Sequence, residues 1–152
     1  MPDRSVIHTT FVIDRVFAAT PSRVFAAFAD PRAKALWFTG PIQWRTPVHT
    51  FDFRVGGRET NVGGPVGGPT SSFDALYLDI VPDERIIYTY EMHLDEKKIS
   101  ESLATIELTP VDGGTKLLLT EQGAYLGGFD KPEWREQGTI DLMDALEASL
   151  GD

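Results

Sequence analysis

Between Gly40-Pro41 and Gln122 the chain is a succession of β-prone runs that no helical crossover interrupts. That disfavours a parallel sheet, because parallel neighbours need a connection of a dozen or more residues, usually a helix. The runs are Ile42 to Pro47, Thr50 to Val55, Phe73 to Val81, Arg85 to His93, Ser100 to Thr109 and Thr115 to Gln122, each bounded by turn residues. Pro82-Asp83-Glu84 and Asp112-Gly113-Gly114 are short enough to join antiparallel neighbours, so an antiparallel meander is expected.

The flanks of this block are different. Ile7 to Phe17, rich in Val, Ile, Thr and Phe, reads as a first strand. Thr20 then offers a capping hydroxyl and Pro21 a first helical position, with Val24, Phe25, Ala27 and Phe28 at helical spacing, so a helix runs to about Ala29. Asp30-Pro31 repeats the signal and opens a second short helix, Arg32 to Leu36. Pro132 to Leu150, followed by Gly151, reads as one long terminal helix. The class is therefore α+β: a curved antiparallel sheet around a long C-terminal helix, with two short helices after the first strand. Its 152 residues suit a single domain, residues 1–152, with one core.

Composition removes several chemistries. With no cysteine there is no disulfide, thiolate metal site or cysteine nucleophile. The formal charge is −9, from 14 basic and 23 acidic residues. Residues 1–69 carry 8 basic and 5 acidic side chains, or +3, and residues 70–152 carry 6 and 18, or −12. Without a clustered basic stripe, neither nucleic acid nor anionic membrane is an expected partner. Apolar stretches are only a few residues long and the amino terminus lacks a secretory pattern, so a soluble, cytoplasmic protein without membrane insertion is expected.

Several segments resemble one family. Arg15 to Pro31 with Trp37-Phe38 is similar to the opening signature of the activator of heat-shock protein 90 ATPase homologue family, and Asp52-Phe53-Arg54-Val55-Gly56-Gly57 to its central strand motif. Tyr77 to Thr89 and Gly113 to Leu119 follow in the family's order. The resemblance implies the START-like (SRPBCC) helix-grip fold, in which the sheet grips the terminal helix around a pocket. It supplies no activity. The eukaryotic namesake stimulates a chaperone ATPase through a two-domain protein, whereas this chain is read as one domain. Other members of the superfamily bind lipids, hormones or polyketides, and some cyclise or hydrolyse substrates.

The remaining motifs favour no set chemistry. The Gly-Gly pairs at 56–57, 63–64, 67–68 and 127–128 lack the Lys and Ser/Thr of a phosphate loop. Residues 56–69 read as a flexible connection, with a lid over a pocket mouth as the alternative. His8, His49 and His93 have no metal-site spacing, so no metal is expected, and no Gly-x-Ser-x-Gly elbow is present. Asp52 and Arg54 read as a local ion pair on one strand face, with recognition of an acidic ligand as the alternative.

Strand alternation is more informative. Ile86, Tyr88, Tyr90 and Met92 share one face, as do Ala104, Ile106 and Leu108, and Leu117, Leu119 and Glu121. If these faces look towards the helix, two phenols and one carboxylate sit on an apolar surface that Trp134, Leu142 and Met143 close. Trp37, Phe38, Trp44 and Phe53 are a second aromatic group, either a pocket wall or the packed end of the core. Buried, Glu121 would have a raised pKa and serve as a proton acceptor.

Three readings follow. The first is a cofactor-free domain that holds a small hydrophobic or amphipathic molecule between the last helix and the sheet. The second is a protein-interaction module that regulates a chaperone or another ATPase, with a protein partner docked on its outer surface. The third is a cyclase, hydrolase or isomerase that uses Tyr88, Tyr90 or Glu121 as acid or base.

Overall fold

The computed structural model describes residues 4–38, 48–65 and 67–151. The first strand, β1 (Val6–Phe17), alternates exposed and buried residues towards its end, burying Phe11, Ile13 and Phe17. Helix α1 (Pro21–Ala29) starts where expected: the Thr20 hydroxyl accepts the Arg23 N–H, and Val24, Ala27 and Phe28 are buried. Asp30 ends α1 and caps α2 (Pro31–Lys34) by accepting the Arg32 N–H at 2.8 Å.

The meander consists of β2 (Val48–Phe51), β3 (Arg58–Gly63), β4 (Ser71–Val81), β5 (Arg85–Leu94), β6 (Lys97–Val111) and β7 (Gly114–Leu126). Consecutive strands from β2 to β7 pair antiparallel, and β1 returns to pair antiparallel with β7, giving the order β1-β7-β6-β5-β4-β3-β2.

Three expectations change. The expected strand Ile42 to Pro47, with Trp44, lies outside the described residues. Residues 56–69 are not one connection, because Arg58–Gly63 forms β3 between β2 and β4. Asp52 to Val55 is not strand but the turn that reverses the chain from β2 into β3. Its two glycines are structural: Gly56 has φ +84°, and a Cβ on Gly57 would lie 2.1 Å from the Asp52 carbonyl oxygen. The Asp52–Arg54 ion pair forms at 2.8 Å, but across this exposed turn.

Register aligns the buried face into rows. Ile80, Ile86, Ile106, Leu119 and Ile13 form an aliphatic row across β4, β5, β6, β7 and β1. Above it run Tyr77, Tyr88, Ala104, Glu121 and Phe11, and then Phe51, Glu59, Ala75, Tyr90, Ser102 and Gly123. The two upper rows combine large aromatics at the β2–β5 side with small residues towards β6 and β7.

Helix α3 (Pro132–Leu150) covers this face and runs closest to α1 and β1. Met143 and Leu146 are its buried residues, and Ile140, Leu142, Ala145 and Leu150 pack against the same core. At its C-terminal end Arg15 of β1 pairs with Asp144 at 2.6 Å, and Arg23 of α1 donates to the Leu150 carbonyl. The result is the α+β helix-grip fold.

Candidate functional site

The sheet holds two buried polar clusters that an aromatic ledge connects. The first forms where α2 meets β3. Lys34, the last residue of α2, donates to Glu59 Oε1 at 2.5 Å; Tyr77 of β4 donates to the same oxygen at 2.6 Å, and His49 Nε2 lies 3.2 Å from Oε2. Glu59 has no exposed surface and Lys34 is 6% exposed. Burial lowers the Lys34 pKa, against the pull of Glu59, while burial and the neighbouring Glu59 raise that of the Tyr77 hydroxyl far above the phenol range. The ammonium also lies over the rings of Phe38 and Phe51, at 4.6 and 4.9 Å from their centroids.

The second cluster lies under the first turn of α3. Tyr90 donates to Glu121 Oε2 at 2.8 Å, and Arg135 Nη1 donates to the Tyr90 hydroxyl at 3.0 Å. Arg135 also bonds Ser100 Oγ at 2.9 Å and pairs with Asp130 at 2.5 Å, its guanidinium standing over the rings of Tyr90 and Tyr125. Glu121 is 3% exposed, and this burial raises its pKa despite the Tyr90 hydrogen bond and the Arg135 charge. Burial likewise pushes the Tyr125 hydroxyl up to about 12. Ser102 Oγ and Tyr125 Oη are buried with no hydrogen-bond partner among the described residues, a costly state for a polar atom.

Between the clusters, aromatic rings touch in sequence: Tyr77 and Tyr88 at 5.7 Å, Tyr88 and Tyr90 at 6.0 Å, and Tyr90 and Phe73 at 4.9 Å between centroids. Phe38 meets Phe73 at 5.3 Å, and Phe53 meets Tyr77 at 5.0 Å. Tyr88 is distinctive. Protein surrounds its hydroxyl closely enough that burial raises its pKa well above the phenol range, yet the side chain retains accessible surface and its hydroxyl has no partner among the described residues.

The structure places the other expected residues as follows. Tyr88, Tyr90, Leu119 and Glu121 share the face under α3; Met92 is half-buried beside a β-bulge on the same strand. Met143 is buried and Leu142 half-buried on α3. Phe38 and Phe53 join the ledge, whereas Trp37 packs into the core with its indole N–H donating to the Ala27 carbonyl. Trp134 does not close the surface: it is 60% exposed and stacks under the Lys131 ammonium. The inward stripe of α3 starts one residue later, at Arg135, and continues through Thr139, Met143 and Leu146.

Sequence reasoning missed Lys34, Glu59, His49, Tyr77 and Arg135 as site residues. The signals were slight: Glu59 sits in a glycine-bounded segment, and Arg135 occupies a helix position that amphipathic reasoning reserves for an apolar side chain. Among the described residues, no group of three His, Asp or Glu is placed to hold a metal ion, and no helix is long and apolar enough to cross a membrane.

A seven-stranded curved sheet gripping a terminal helix, with a ring-lined inner face, defines a START-like ligand-binding or regulatory domain. The chain belongs to the family described as activator of Hsp90 ATPase homolog 1-like proteins, whose profile matches residues 18–151. It is similar to a solved protein from Rhizobium loti, with 45% identity, a TM-score of 0.89, and coverage of 95% of this chain and 99% of that one. A protein from Rhizobium leguminosarum is 43% identical over 97% of both chains, with a TM-score of 0.92. One from Chromobacterium violaceum is 29% identical, with a TM-score of 0.77 over 94% of this chain and 97% of that one. No curated protein matches.

Proposed function

We propose that the concave face beneath α3 holds a small hydrophobic or amphipathic molecule, with Phe38, Phe53, Tyr88, Tyr90, Met92, Leu142 and Met143 around it and Leu119 and Glu121 at its floor. The observation that carries this reading is Tyr88, walled in by protein while its surface and hydroxyl stay uncommitted. A side chain serving only the core would be sealed and its hydroxyl paired. One further feature supports it: α3 leans towards β1 and α1 rather than the central strands. The molecule works as one domain, in a cytoplasmic setting, and needs no cofactor for binding.

The test is thermal unfolding against a panel of neutral aromatics, lipids and polyketide-like compounds. A ligand at a hundred times its Kd should stabilise the native state by about 2.7 kcal/mol. Leu142→Trp, which fills the space under the helix, should remove the gain while leaving the unliganded protein folded. Silence across the panel, or a shift that survives the substitution, would overturn the reading.

A further inference from the structure

The charges and free polar atoms around Tyr88 restrict what the face accepts. Its inner layer contains three carboxylates, Glu59, Glu121 and Asp130, and two side-chain cations, Lys34 and Arg135. Both cations are committed: Lys34 to Glu59 and Tyr77, Arg135 to Asp130, Tyr90 and Ser100. Among the described residues of this layer, no further Lys or Arg remains for an anionic guest, so a buried carboxylate or phosphate would lie beside Glu121 uncompensated. A cationic guest also meets resistance, because Arg135 already stands over the Tyr90 ring and Lys34 over Phe38 and Phe51.

The neutral possibility has a matched pair of partners. Tyr88, Ala104 and Glu121 lie side by side in one cross-strand row, so the two polar side chains flank a methyl group. Along the same face of β6, Ser102 is the next residue, and its enclosed hydroxyl has no partner among the described residues. Tyr90 occupies only one oxygen of Glu121, and the other has no partner among the described residues. This row thus has a phenol that can donate on one side and a carboxyl oxygen that can accept on the other, with Ala104 covered between them. A single atom satisfies both only if it donates and accepts at once, which is the property of a hydroxyl.

We propose that the site selects a neutral, hydroxyl-bearing aromatic ligand, its ring on the Tyr88–Tyr90–Phe73 ledge and its hydroxyl between the Tyr88 hydroxyl and the free oxygen of Glu121. This rests on the binding reading given above and adds the ligand's charge and head group to it.

Calorimetric titration of the full chain at neutral pH with four naphthalenes separates the two claims: 2-naphthol, 2-methoxynaphthalene, 2-naphthoate and protonated 2-naphthylmethylamine. The naphthol should bind about tenfold more tightly than its methyl ether, which keeps the ring and loses the donor, as expected for one buried hydrogen bond. Naphthoate should bind more weakly than either. Tyr88→Phe removes the donor that both the naphthol and the ether oxygen accept from, so it should weaken both ligands and leave their ratio near the wild-type value. The wild-type ratios decide the matter even if that variant folds poorly. Equal binding of naphthol and ether overturns the hydroxyl pairing and leaves the pocket standing. Preference for the carboxylate or the ammonium overturns the charge argument, and binding of none of the four overturns both claims.

Discussion

Lys34→Met isolates the energetics of the buried pair that fastens α2 to the sheet. The substitution keeps most of the side-chain volume and removes the ammonium 2.5 Å from a carboxylate with no exposed surface. Breaking a buried pair by deleting one partner costs about 3–5 kcal/mol, because the remaining charge is stranded. Glu59 would retain the Tyr77 hydroxyl at 2.6 Å and His49 at 3.2 Å, which places the loss near the lower end, about 3 kcal/mol. With a urea slope of about 2 kcal/mol/M, the unfolding midpoint should fall by about 1.5 M. The double variant Lys34→Met/Glu59→Gln preserves an acceptor for Tyr77 and leaves no charge behind, so it should recover more than half of that loss. Urea unfolding of wild type, single and double variants, followed by tryptophan fluorescence, makes the comparison. If the single and double variants unfold at the same midpoint, the stranded charge is not the cause and the reasoning fails.

Three other outcomes follow from the same geometry. Glu121 has a folded-state pKa above its unfolded value, so its contribution to stability is present at acid pH and is lost as pH rises through the folded pKa, about 1.4 kcal/mol for each unit raised. Thermal melts from about pH 4 to 8 should show Glu121→Gln gaining on wild type as pH increases; a gap that stays constant or closes contradicts this. Trp134→Ala should change stability by less than about 0.5 kcal/mol, whereas Leu146→Ala, at a site with no exposure, should cost about 2–5 kcal/mol; the reverse order would mean that the helix is rotated. Gly114→Ala would put a methyl carbon 1.8 Å from the Phe17 carbonyl oxygen, so it should yield little folded protein by circular dichroism, and a wild-type melt would refute the close approach.

Alternation made most of the sheet legible. Ile86, Tyr88 and Tyr90, Ala104 and Ile106, and Leu117, Leu119 and Glu121 face the helix as a period of two requires. The boundaries of α3 were legible too, from Pro132 and Gly151. β3 was not, because Arg58–Gly63 offers one large apolar side chain, Val62, between glycine pairs, and its strand character comes from pairing on both sides. The rotation of α3 was misjudged because a tryptophan usually outranks an arginine for burial, and here tertiary partners for Arg135 reverse the order. The Lys34–Glu59 contact joins residues 25 apart on α2 and β3, which no periodicity announces.

The position of β1 has a consequence for how the chain acquires its structure. Its twelve residues hydrogen-bond with β7, so Val6 meets Leu126 and Phe17 meets Thr115. β1 is synthesised before β7 and must wait for it, and the hydrophobic surface of Phe11, Ile13 and Phe17 is uncovered until then. Such long-range closure places folding in the slow range, about milliseconds to seconds, and exposes the waiting β1 segment to aggregation during synthesis.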